Sequence, residues 1–248
     1  MIVVVPIGGL GKRFVQAGYT FAKPLITIRN KPMLQWAVDS LGMPWAHHIF
    51  VCHEDDVTRY PIREVCAQIT PKQELVVEPT RSGAATAILY GLEHTTLPRP
   101  IEQEDLIIAN ADQWLQWDPT WFLECAWSQG QWDGAIPVFR SAHPKWSYAR
   151  LDGRSRVVEV AEKRPISPWA TCGVYYWKRV GAFVDCATQM IAAEERVNGE
   201  FYVAPVYNRL LQQGGQVMAY PDVTMYGLGT PEDLEEFKMA VCAGRIVE

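Results

Sequence analysis

The chain of 248 residues has no excess of basic side chains: 23 Lys and Arg stand against 28 Asp and Glu, a formal net charge of -5. A phosphate backbone demands a basic face, so general binding to nucleic acid is not expected. The six cysteines, Cys52, Cys66, Cys125, Cys172, Cys186 and Cys242, contain no C-x-x-C pair and no partner histidine spacing, so they read as buried free thiols of a reducing compartment. His47, His48, His53, His94 and His143 are scattered without ligand spacing, which argues against a histidine metal site. No apolar run is long enough to cross a bilayer, and the first residues lack the basic segment of a secretory signal. A cytoplasmic location without a membrane partner is therefore expected. No activated Ser, Cys or His arrangement is visible, so a covalent intermediate has no obvious nucleophile.

With 48% hydrophobic residues the chain can bury one sizeable core. No repeat or low-complexity linker divides it, and one domain over residues 1–248 is expected. The ten tryptophans, without basic interleaving, read as core and pocket walls. Apolar runs alternate with helical stripes, the pattern of an α/β, Rossmann-like fold with a mostly parallel central sheet and helices on both faces. Ile2 to Ile7 predicts the first strand, Leu34, Ala37, Val38 and Leu41 a helix, and His48 to Cys52 the next strand. Pro61 with Ile62, Val65, Cys66 and Ile69 predicts a second helix before the strand around Leu75-Val76-Val77. Asp152-Gly153 between apolar runs predicts a hairpin, a small lid or acceptor subregion within an insertion at roughly 140–205. One strand is expected over Thr171 to Trp177, and Thr230-Pro231-Glu232-Asp233 reads as a strong helix start.

The first strand drives into Pro6-Ile7-Gly8-Gly9-Leu10-Gly11-Lys12-Arg13-Phe14, and Lys23-Pro24-Leu25 follows. Gly8, Gly9 and Gly11 can take positive φ and bring amide N–H groups to phosphate oxygens, while Lys12 and Arg13 add charge. A solvated turn after a strand is the competing reading. The Walker pattern is excluded because Arg13 stands where Ser or Thr is needed, and the dinucleotide fingerprint because Phe14 replaces its last glycine. Further on, Glu78 to Ala87 is a strand end passing through small residues into a helix, with Ser82 as a candidate cap. Asn110-Ala111-Asp112-Gln113 puts a carboxylate at the carboxyl edge of a strand, where open α/β sheets bind ligands.

The glycine-rich block with its K-P-L resembles the signature of the sugar-phosphate nucleotidyltransferases, and the later motifs extend that resemblance over most of the chain. The resemblance implies a branch that includes cytidylyltransferases of non-sugar phosphates, and a reaction in which a nucleoside monophosphate passes from a pyrimidine triphosphate (CTP, UTP or dTTP) to a phosphorylated acceptor. Pyrophosphate is released, in surface polysaccharide or related glycoconjugate biosynthesis. It implies nucleotide binding by Ile7, Gly8, Gly9, Leu10, Gly11, Lys12, Arg13, Glu78, Thr80, Ser82, Gly83 and Asn110, with Gly83 against the base. Asp112 resembles the family's magnesium aspartate, and Mg2+ is the expected cofactor. Arg13, Lys23 and Lys163 are the expected catalytic cations. Glu162-Lys163 resembles an E-K-P motif at the acceptor, joined in substrate binding by Gln113, Thr171, Gly173, Tyr175 and Glu200. Two departures stand out. Arg164 is inserted before the proline, which leaves Lys163 and Arg164 both open for the acceptor phosphate, with Lys163 preferred. Gly227 stands where a second metal-binding aspartate is often found, with Asp222 as a nearby candidate. The partners implied are a nucleoside triphosphate and a phosphorylated small molecule, with a homodimer compatible. A glycosyltransferase of related fold and a non-catalytic nucleotide-binding protein are the rival readings, and pyrophosphate release separates them.

Overall fold

A computed structural model describes residues 1–246. The first strand, Ile2–Pro6, is buried on both sides and pairs in parallel with His47–His53 and with Leu106–Ala109. Gln73–Glu78 continues the parallel half beyond His47–His53. Past Leu106–Ala109 the sheet turns antiparallel through Val174–Trp177, Gly134–Arg140, Trp169–Thr171, Ser147–Leu151 and Val157–Glu162. Val217–Tyr220 joins Gly134–Arg140 in parallel and completes ten strands.

The two-residue side-chain period divides each central strand between two cores. Ile2 and Val4 pack with Ile49, Val51, Ile88 and Leu92 on one face, under the helices Ala84–His94, Val180–Ala192 and Val206–Gln212. Val3 and Val5 pack with Phe50, Leu34, Ile62 and Phe122 on the other, under Met33–Leu41, Ile62–Ile69 and Pro119–Trp127. The α/β class with helices on both faces is thus as the apolar spacing predicts. A third cluster sets Phe14, Trp36 and Met33 against Leu234 and Phe237 of the last helix, Pro231–Cys242, and so anchors the glycine-rich segment from behind. Thr230 caps that helix by accepting from the Asp233 amide at 3.1 Å.

Several expectations are corrected. Thr171 to Trp177 is two strands, because Gly173 takes φ +74° and turns the chain between them. Ser82 does not cap the helix after it; Gly83 stands at the cap with φ +124°, and the Ser82 carbonyl instead accepts from the Phe201 amide at 3.1 Å. The acid-rich helix Glu54–Arg59 has no apolar stripe to announce it. The cysteines are free, yet Cys242 is exposed and Cys125 half-buried. Trp36 and Trp177 are core residues, whereas Trp45, Trp121 and Trp127 are exposed. Among the described residues no helix is long and apolar enough to cross a membrane.

Candidate active site

The carboxyl ends of the parallel strands deliver Ile7, Glu78 and Asn110 to one edge, and the antiparallel half curls over the same edge with Glu162 and Tyr175. Between them opens a cleft of about 550 Å³. Ile7, Gly8, Gly9, Leu10, Gly11, Lys12, Arg13, Lys23, Glu78, Gly83, Asn110, Asp112, Gln113, Glu162, Lys163, Thr171, Gly173, Tyr175 and Glu200 all line it. Thr80 and Ser82 do not; Thr80 is exposed and Ser82 is drawn to Phe201.

The glycine loop is built to stay open. Of its glycines only Gly11 has positive φ, +56°, where it starts the short helix Lys12–Gln16. Among the described residues, no amide from Gly8 to Arg13 donates to another group. Lys12 and Arg13 are exposed at the mouth. Arg81 braces the loop from outside: its Nε donates to the Gly8 carbonyl at 3.0 Å and its Nη2 pairs with Asp56 at 2.7 Å. Six backbone N–H groups without a protein partner among the described residues, beside two cations, make a candidate anion cradle.

Asp112 projects from just beyond Leu106–Ala109, and the Lys23 ammonium hydrogen-bonds its Oδ2. The Leu228 amide donates to the Asp112 carbonyl at 2.7 Å, which ties the residue to the chain leaving the strand Thr224–Gly227. A Cβ at Gly229 would lie 3.2 Å from the Asp112 carboxylate, and one at Gly227 would lie 2.7 Å from the Trp146 ring. Trp146 therefore fills the space in which an acid at 227 would project. Asp222, the nearby candidate, is exposed and does not line the cleft. Asp233 does, but Lys145 pairs with it at 2.5 Å and stacks over Trp146 at 4.5 Å from the ring centroid. No cluster of three or more His, Cys, Asp or Glu suited to a metal occurs among the described residues. One carboxylate beside an anion cradle suits a magnesium ion carried on phosphate oxygens, and does not suit an ion held by protein alone.

On the antiparallel side of the cleft, the hairpin places Lys163 at φ +53° with its ammonium on the Tyr202 hydroxyl and 4.3 Å from the Tyr202 ring centroid. Arg164 points away; it is 70% exposed and reaches Glu159 at 3.5 Å. Burial raises the Glu162 carboxyl above its ordinary value, a rise opposed by the Ser147 hydroxyl and Lys163 and reinforced by Glu200. Tyr175, raised by burial, shares a 3.0 Å hydrogen bond with Thr171. Gly173 is obligatory on steric grounds as well as by its φ, since a Cβ there would lie 2.7 Å from the Asn110 amide nitrogen and 2.8 Å from Gln113 Oε1. That Gln113 oxygen is buried and unpartnered, while its amide donates to the Asn110 carbonyl at 2.6 Å. Sequence reasoning missed Arg81, Lys145, Trp146, Ser147, Tyr202 and Asp233 in this cleft. Tyr202 was signalled by its place two residues after Glu200; Lys145 and Asp233 meet across 88 residues and carry no local signal.

The sequence model of a family described as nucleotidyl transferases matches residues 2–244. No curated protein sequence matches the chain. Among solved structures, a nucleoside-diphosphate-sugar pyrophosphorylase from Vibrio cholerae RC9 superposes with a TM-score of 0.82 at 24% identity, over 96% of this chain and 100% of that one. A UDP-glucose pyrophosphorylase complexed with UDP-glucose superposes with a TM-score of 0.76 at 17% identity, over 98% of each chain. At such identities the likeness is one of fold.

Proposed function

Because the chain belongs to the nucleotidyl transferase family, we propose that it moves a nucleoside monophosphate from a pyrimidine triphosphate to a sugar phosphate or another phosphorylated metabolite. Pyrophosphate is the second product, and the activated acceptor serves surface polysaccharide or related glycoconjugate biosynthesis. The observation that carries this reading is the continuity of one cleft from the basic glycine loop, past Asp112, to Glu162 and Lys163. A leaving diphosphate, a transferred phosphate and an acceptor phosphate each need a cationic or donor group along one path.

The acceptor phosphate is largely ionised at neutral pH and serves as its own nucleophile, without a general base. One of its oxygens bonds to the α-phosphorus while the bond from that phosphorus to the β-bridging oxygen breaks, and the electron pair leaves with pyrophosphate. Lys12, Arg13 and the loop amides receive the charge that grows on the leaving group, as preorganised donors do. Lys23 moves from Asp112 to the α-phosphate, and Lys163 holds the acceptor phosphate in line. Gln113, Glu162 and the Thr171–Tyr175 pair read the acceptor's substituent. Asp112 would hold magnesium, which when bound supplies charge neutralisation between two anionic substrates.

The test combines CTP, UTP or dTTP with Mg2+ and a panel of sugar 1-phosphates and other phosphorylated metabolites, and measures pyrophosphate. Release that requires both substrates and stops with chelator is expected. Asp112→Asn, which keeps the shape and removes the charge, should lose most turnover while retaining nucleotide binding. Full activity in excess chelator, or no release with any acceptor, would count against the reading.

A further inference from the structure

Resting on the nucleotidyl-transfer reading above, we propose that Glu78 selects the nucleobase, favouring one whose pairing edge carries an exocyclic amino group, cytosine among the pyrimidines, and disfavouring uracil and thymine. Glu78 ends the strand Gln73–Glu78, is 4% exposed and lines the cleft that Gly8 and Gly83 also line. Among the described residues its carboxylate has no hydrogen bond and no ion pair. Arg81 is the nearby cation and its charge opposes the effect of burial on Glu78, but its guanidinium contacts the Gly8 carbonyl and Asp56 and makes no hydrogen bond or ion pair to the Glu78 carboxylate. A Cβ at Gly8 would lie 3.3 Å from Glu78 Oε1, so the glycine is what keeps the carboxylate uncovered on the loop side. Burial pushes the carboxyl up to about 7.

A buried acid without a partner is costly, and an acid that only supported the fold would be expected to have one. The cost falls on the ionised form, and because an ionised carboxylate only accepts, the partner that removes it must bring donors. Cytosine presents an amino group at the end of its pairing edge, the group that Glu and Asp side chains accept from in base readout. One hydrogen of that amino group points away from the N3 lone pair and can be accepted without facing it, whereas uracil and thymine present a single N–H between two carbonyls, so a carboxylate that takes it faces a carbonyl lone pair with its other oxygen. Glutamine has the same shape but offers both a donor and an acceptor, which suits the N–H and carbonyl of uracil.

Binding of CTP, UTP, dTTP, ATP and GTP with Mg2+ is measured by calorimetry on the wild type and on Glu78→Gln, with no acceptor present. The wild type should bind CTP at least about tenfold more tightly than UTP or dTTP, and Glu78→Gln should shrink that ratio at least about tenfold. Equal binding of CTP and UTP by the wild type overturns the proposal without involving a variant. A folded Glu78→Gln protein that keeps the wild-type ratio overturns it as well. Preference for ATP or GTP that Glu78→Gln abolishes upholds the amino-edge selection by Glu78 and overturns the pyrimidine part of the proposed function. Failure to bind any triphosphate overturns both, whereas pyrophosphate release at equal efficiency from CTP and UTP removes the selection alone.

Discussion

Arg13 and Lys163 illustrate two kinds of cation in one cleft. Arg13 is exposed and, among the described residues, makes no ion pair, so its removal should leave the fold alone. Losing one preorganised contact to growing charge costs about 2.7 to 4 kcal/mol, roughly a hundred- to a thousandfold in turnover. Arg13→Ala should show that loss with an unchanged melting curve, and wild-type turnover would remove the loop from the mechanism. Lys163 is held by Tyr202 within the cleft, on the proposed acceptor side, while Arg164 lies outside on Glu159. Lys163→Ala should therefore raise the acceptor KM and lower turnover by at least about tenfold, the lower end of a charge-assisted hydrogen bond, with triphosphate affinity nearly normal. Arg164→Ala is the matched comparison, and an acceptor defect confined to it would move the site by one residue. The sequence left these two neighbours open because their order along the chain says nothing about a lysine in left-handed backbone turning one side chain in and the next out.

At the scale of elements, the strands and helices of the parallel half were readable because two-residue and helical periods each bury a continuous apolar face. What was not readable depends on atoms distant in sequence. The break at Gly173 answers to Asn110 and Gln113, and the loss of an acid at Gly227 is matched by Trp146 arriving from 81 residues upstream. Gly83 is a similar junction: a Cβ there would lie 2.5 Å from the Phe201 amide nitrogen and carbonyl oxygen, at φ +124°. The Ala85 amide donates to that same carbonyl at 3.0 Å, so the helix start and the Phe201 segment are one unit. Gly83→Ala adds backbone strain of about 1 to 3 kcal/mol and overpacking of similar size. A melting point lowered by at least about 4 °C is expected, with nucleotide affinity reduced because the proposed base-side wall must shift. Unaltered melting would show that the junction is loose.

Over the whole molecule, the cleft holds carboxyls that folding makes harder to ionise, and stability should record it. Burial raises Glu78 from 4.5 to about 7. Between those values the folded protein binds a proton that the unfolded chain releases, so stability falls as pH rises through the window. The contribution is fully present below the unfolded value and is lost above about 7, a penalty of about 3 kcal/mol at alkaline pH. Glu162, also raised, adds a loss of the same sign, and Glu74, lowered by hydrogen bonds to Thr95 and Thr96, gives the opposite one. Both remain in Glu78→Gln, so the difference between variant and wild type isolates Glu78. At pH 8 the variant should melt several degrees above the wild type, at roughly 2 to 4 °C per kcal/mol, and the gap should close as pH falls below about 5. Saturating CTP with Mg2+ should narrow the gap at pH 8, because a ligand that binds the wild type more tightly stabilises it more. A gap of the same size at pH 5 and pH 8 would mean that Glu78 ionises alike in folded and unfolded chains, and that its burial carries no cost for a base to relieve.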